Sequence, residues 1–166
     1  MGKRIRSEET PAYGAGNALT PDEQGTINAA LDIIQARMRR SGEVLASPED
    51  ARHLARLTLG LDEEEVFAAM FLDNRHRLIA YDRMFFGTID GATVHPRVVV
   101  KRALGHNAAA VILSHNHPSG VADPSRADEL LTRRLRDALA TVDVRVLDHL
   151  VVGADEVVSL AERGLL

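Results

Sequence analysis

Cysteine is missing from all 166 residues. Its absence excludes disulfides, thiol nucleophiles and thiolate metal sites, among them zinc centres built on a Pro-Cys-x-x-Cys element, and it fits a reducing cytoplasm. Long apolar runs are also missing. No stretch reaches the ~18 residues that a membrane span requires, and Met1-Gly2-Lys3-Arg4-Ile5-Arg6 lacks the apolar core of a secretion signal. A soluble, cytoplasmic protein without membrane association is the expectation. A basic excess is missing too: 20 Lys and Arg stand against 24 Asp and Glu, for a net charge of −4. That balance argues against a strongly basic nucleic-acid face and leaves only local patches open. No internal repeat is visible.

With 45% hydrophobic residues, a chain of this length can bury one substantial core, so a single domain is expected. Residues 1–19 are polar, carry Gly and Ala, and show no period, which predicts a mobile tail. Thr20-Pro21-Asp22-Glu23 then combines a capping box with proline at the first helical position, and Ile27, Leu31, Ile34 and Met38 form an apolar stripe. Residues 20–46 therefore read as a helix and linker, the helix free to dock or to support an oligomer. Its Arg37, Arg39 and Arg40 complement the helix dipole more simply than they bind nucleic acid.

The remaining 47–166 alternates helices and strands. Ser47-Pro48-Glu49-Asp50 opens a helix that ends near Gly60, and Val66 to Leu72 is a buried strand that turns through Asp73-Asn74-Arg75-His76 into Arg77 to Phe86. His95-Pro96 opens a helix through Gly105; His95 and His106 read as surface or capping residues. After a strand from Ala108 and a helix from Ser125, Val144 to Leu147, Leu150 to Val152 and Asp155 to Leu160 are strand-like. Asp148-His149 falls between two of these segments, where a structural role is favoured over support of a site.

The chemistry concentrates in Ser114-His115-Asn116-His117-Pro118-Ser119-Gly120 and Pro124-Ser125-Arg126-Ala127-Asp128. Residues two apart on a strand share a face, so His115 and His117 can grip one ion, and Asp128 falls in the first turn of the following helix. Two imidazoles and one carboxylate make three zinc ligands and leave the fourth position to water, the mark of a catalytic site; such a water is a hydroxide near neutral pH. Each part has a plainer reading. Among seven histidines a chance His-x-His is not rare, and Ser125 with Asp128 also fits the pattern of a helix cap. Neither reading accounts for the joint spacing.

That spacing, His-x-His, seven residues, Ser, two residues, Asp, resembles the JAMM signature of JAB/MPN metalloproteases, and His-Asn-His-Pro-Ser-Gly resembles its RadC branch. The resemblance runs from Ser47 to Leu166 and includes Phe71-Leu72-Asp73-Asn74, Phe86-Gly87-Thr88-Ile89-Asp90, Val98 to Ala103 and Asp148-His149-Leu150. It implies an MPN-type α/β fold, a mixed sheet flanked by helices, with zinc on His115, His117 and Asp128, and with Ser125 helping to hold the water and the oxyanion. It also implies a glutamate on an earlier strand. Of Glu63, Glu64 and Glu65, the last stands at the mouth of the strand from Val66 and matches by register, while a solvated acidic cluster is the alternative. Longer RadC-like proteins carry an N-terminal helix-hairpin-helix, whereas the first 46 residues here offer one amphipathic helix.

The expected function is zinc-dependent hydrolysis of a peptide or isopeptide amide in a peptide or protein substrate, with Glu65 shuttling the proton and Ser125 donating to the oxyanion. A catalytically idle MPN-like scaffold or a DNA-associated accessory is the alternative from another class. Phosphodiester cleavage lacks the second metal common in such enzymes.

Overall fold

The computed structural model describes residues 20–41, 47–87 and 93–166, with the side chains of 31 and 34–41 outside the description. The expected tail at 1–19, most of the helix stripe's side chains (Leu31, Ile34, Met38) and Arg37, Arg39 and Arg40 therefore lie outside the described side chains. Among the described residues the order is α1 (Pro21–Ser41), α2 (Pro48–Leu59), β1 (Val66–Leu72), β2 (Leu78–Phe86), α3 (Pro96–Gly105), β3 (Ala110–Asn116), α4 (Arg126–Ala140), β4 (Arg145–Val152) and β5 (Val157–Ser159).

Local chemistry explains where the helices start. Thr20 and Glu23 close a reciprocal cap at α1, Ser47 and Asp50 do so at α2, and Ser125 and Asp128 do so at α4. In each case a side-chain oxygen satisfies a backbone N–H that the first helical turn leaves without a partner.

The sheet runs β2-β1-β3-β4-β5, with β3 and β4 parallel and every other neighbouring pair antiparallel. Parallel neighbours need a crossover, and α4 supplies it between β3 and β4. The central strands β1 and β3 are buried along their whole length, as unbroken apolar runs must be when both sheet faces are covered. Alternation divides the core. Val66, Ala68, Met70 and Leu72 of β1 join Ala51, Leu54, Ala55 and Leu59 of α2 on one face. Phe67, Ala69 and Phe71 join Val99 and Ala103 of α3 and Leu135 and Leu139 of α4 on the other. The same parity continues along β3, where Ala110 and Ile112 face α2, and Val111 and Leu113 face α3 and α4.

The structure departs from the sequence reading in the last third. The expected strands at 144–147 and 150–152 are one strand, β4, passing through Asp148-His149 without a break. A register shift between Val111 and Ile112 leaves Leu147 without a partner on β3, so the apolar alternation slips there and resembles a gap. Asp148 stays in the strand because its carboxylate is satisfied: it accepts from the backbone N–H groups of His149 and Ala161 and from the Ser159 hydroxyl. The final strand is also shorter than expected, three residues at Val157–Ser159.

Candidate metal centre

β3 delivers His115 to the α4 face of the sheet, buried to 2% exposure, and His117 follows one residue beyond the strand's end. The chain keeps the strand direction there because the His117 N–H still donates to the Val152 carbonyl, 2.9 Å away. Both imidazoles therefore emerge on one side, and their Nε2 atoms stand 3.0 Å apart. α4 begins across the loop and brings Asp128 to them: Oδ1 lies 3.3 Å from His115 Nε2 and Oδ2 lies 3.5 Å from His117 Nε2. Within the described residues these three side chains form a group whose ligand atoms all fall within 4.8 Å of one another.

The donor set fits a metal ion. His117 Nδ1 lies 2.7 Å from the Val121 carbonyl, which can only accept, so this nitrogen carries a proton. His115 Nδ1 is engaged behind the site by His149 Nε2 at 2.9 Å. Both Nε2 atoms are thus left to face each other and a carboxylate. Three electron-pair donors aimed at one point need a cation between them, and in a metal-free chain only a proton can serve. The electrostatics agree. The hydrogen bond with Asp128, set against burial, raises the His117 pKa, and the Val121 carbonyl and the charge of Glu65 push the same way. Burial opposes ionisation of Asp128, yet the adjacent His115 and His117 imidazoles and the Ser125 hydroxyl hold its carboxyl far below the usual carboxylate range.

The other two expected site residues flank this group. Ser125 is exposed and caps α4; its hydroxyl donates to Asp128 Oδ2 at 2.7 Å and accepts from the Asp128 N–H at 3.2 Å. Glu65 is half-buried immediately before β1, close enough for its charge to act on His117, while Glu63 and Glu64 are exposed. His95 and His106 stand apart from the centre. His95 occupies the N-cap position of α3 without a side-chain cap bond, and His106 Nε2 pairs with Asp82 at 2.8 Å.

Asn116 and Thr132 escaped the sequence reading, and His149 was read there as structural rather than as support of the site. Asn116, between the histidines, points to the opposite face, where its amide donates to the carbonyls of Asp62 and Glu64 and its oxygen accepts from the Val66 N–H. It clamps the segment that carries Glu65. Strand alternation was the available signal, since it turns the middle residue of His-Asn-His away from its neighbours. His149 is fully buried, and burial pushes its pKa well below the ordinary value. Thr132, four residues after Asp128, touches His149 from α4. A lone threonine on the helix's buried face, three residues before Leu135, was the sequence signal for it.

With this geometry established, comparison with known proteins is informative. Residues 28–165 match the family model described as a RadC-like JAB domain. The chain belongs to the RadC-like JAB domain family. This family match begins inside α1, ahead of the Ser47 start expected from sequence motifs. Among similar relatives, a UPF0758 protein of Thioalkalivibrio sulfidiphilus is 58% identical over 155 residues, covering 93% of this chain and 69% of that protein. One of Nitrosococcus oceani is 54% identical, with 93% and 69% covered, and one of Cellvibrio japonicus is 59% identical, with 86% and 63% covered. This RadC-like chain thus spans about two thirds of the length of the curated relatives it matches. Among the described residues no helix is long and apolar enough to cross a membrane.

Proposed function

We propose that the protein is a zinc-dependent hydrolase that cleaves a peptide or isopeptide amide bond in a peptide or protein substrate. The observation that carries this reading is the convergence of His115 Nε2, His117 Nε2 and the Asp128 carboxylate on one point, beside an exposed serine and a half-buried glutamate. His115, His117 and Asp128 would hold the ion. Zinc in such a three-ligand site supplies Lewis acidity toward a carbonyl and an acidified water as nucleophile.

The chain's own groups do the rest. Glu65, at the mouth of β1, takes the proton released during attack and returns it to the departing amine, so one carboxylate serves first as base and then as acid. Its placement depends on Asn116, which ties the backbone on either side of Glu65 to the metal-bearing strand. Ser125 presents the hydroxyl nearest Asp128 at the open side of the site, and rotation about its C–O bond lets it donate to the oxygen of the attacked carbonyl. The His117 and Asp128 side chains, 17% and 13% exposed, remain open to solvent.

Metal analysis of the purified protein tests the first half of the proposal. About one zinc per chain is expected, lost on replacing both His115 and His117 by alanine. The second half is tested by Glu65→Gln against a panel of peptide, isopeptide-linked and nucleic-acid substrates. The substitution should keep zinc and lower amide cleavage by roughly 10²- to 10⁴-fold. A zinc-loaded parent that cleaves nothing in the panel, or a Glu65→Gln variant as active as the parent, would favour an idle scaffold.

A further inference from the structure

A chain of buried hydrogen bonds runs from Asp128 back to His115 behind the candidate centre. The Thr132 hydroxyl lies 2.6 Å from the Asp128 backbone carbonyl and 2.6 Å from His149 Nδ1, and His149 Nε2 lies 2.9 Å from His115 Nδ1. Proton counting gives this chain a direction. A hydroxyl has one proton and a carbonyl has none, so Thr132 donates to Asp128 and must accept from His149. His149 therefore carries its proton on Nδ1. It is buried completely and meets no carboxylate among its hydrogen-bond partners, conditions that keep an imidazole neutral, so its Nε2 is a lone pair. His115 must then place its own proton on Nδ1, which leaves Nε2 bare toward Asp128 and His117.

We infer that His149 and Thr132 are positioning residues that fix His115 in the tautomer able to ligate metal, and that they tie this ligand to Asp128 through the first turn of α4. Metal-binding imidazoles commonly donate their second nitrogen to a carbonyl or a carboxylate, as His117 does to Val121. His115 donates instead to a second imidazole, which is itself an ambiguous partner. Only Thr132 removes the ambiguity. Were the Thr132 proton to turn toward His149, two acceptors would face each other across the 2.6 Å contact with the Asp128 carbonyl, and His115 would have to put its proton into the site. Packing guards the same arrangement: the Phe67 ring meets His149 edge to face, with centroids 5.7 Å apart, and holds the imidazole against rotation.

The inference rests on the metal reading of the site, and its test separates the two. The probe is zinc alone, titrated against a chromophoric chelator into the full chain, together with long-range ¹⁵N–¹H spectra that report which nitrogen of each histidine is protonated. Thr132→Val keeps the shape of the side chain and deletes the hydroxyl; Thr132→Ser restores the hydroxyl. Thr132→Val should bind zinc roughly 10- to 100-fold more weakly than the parent, the range expected for loss of a residue that orients a ligand, and Thr132→Ser should recover most of that loss. In the spectra, parent His115 should be protonated on Nδ1, and Thr132→Val should show it mixed between tautomers. Folded Thr132→Val with parental zinc affinity, or parent His115 protonated on Nε2, overturns the inference. A parent that binds no zinc but keeps His115 protonated on Nδ1, with the mixture appearing in Thr132→Val, would refute the metal reading and still support the relay.

Discussion

Replacing Asn116 by alanine perturbs the tie between the two halves of the proposed catalytic site without touching a ligand. The Asn116 oxygen accepts from the buried Val66 N–H at 2.8 Å, and its amide donates to the Glu64 carbonyl at 2.9 Å and the Asp62 carbonyl at 3.2 Å. Leaving the buried N–H unpaired costs about 1–3 kcal/mol, and the two carbonyls, nearer to solvent and open to rehydration, add about 0.5–1 kcal/mol each. The expected destabilisation is thus about 3 kcal/mol, or a fall in Tm of roughly 6–12 °C for a domain of this size. Urea and thermal unfolding followed by circular dichroism are the suitable assays, since the chain has two tyrosines and no tryptophan. Asn116→Asp sharpens the comparison, because it keeps the acceptor for Val66 but sets a carboxylate against two carbonyl oxygens, and it should be no more stable than Asn116→Ala. Zinc affinity should change little, because the side chain points away from the ligands, while turnover that depends on Glu65 should fall. A loss of less than about 0.5 kcal/mol in Asn116→Ala, or an Asn116→Asp variant as stable as the parent, would refute the clamp.

Three other outcomes are expected. Zinc at 100 times its dissociation constant should add about 2.7 kcal/mol to stability in the parent and nothing in His115→Ala, as read by thermal unfolding with and without a chelator. In the metal-free protein, stability should peak near the unfolded histidine pKa of about 6.5. The raised pKa of His117 gives stability that is present below that point and lost as pH rises through the folded value; the depressed pKa of His149 removes stability as pH falls below the unfolded value of about 6.5, and Asp128 adds a further loss at stronger acid. Urea unfolding from pH 4 to 9 in chelator should therefore show the alkaline decline vanish in Asp128→Asn, and its persistence there would refute the assignment of that limb to the His117–Asp128 pair. Gly153→Ala should weaken zinc binding by about tenfold. A Cβ at Gly153 would stand 2.6 Å from the Gly120 carbonyl oxygen and 2.9 Å from the Ala122 nitrogen, displacing the loop whose Val121 carbonyl orients His117; chelator competition measures the shift.

Much of this was legible in the amino-acid sequence because it is encoded over short distances. The capping pairs at Thr20, Ser47 and Ser125 set the helix starts through contacts three residues apart. Unbroken apolar runs marked β1 and β3 as strands covered on both faces, and the spacing of His115, His117 and Asp128 named a ligand set that the fold does gather. β4 was misread where Leu147 slips the register, since a bulge and a gap between strands leave the same trace in an apolar pattern.

The sequence by itself determined which donors exist, which side of a strand or turn of a helix each occupies, and hence that an ion could be gripped by three of them. Tertiary structure alone decided what stands behind those donors. Asn116 reaches a backbone fifty positions away, and His149 meets His115 from 34 positions away because β3 and β4 run parallel in one particular register. Such pairings depend on strand order and on the α4 crossover. No local spacing specifies them, because a side chain's hydrogen-bond partner across a sheet is fixed only when the whole sheet is assembled.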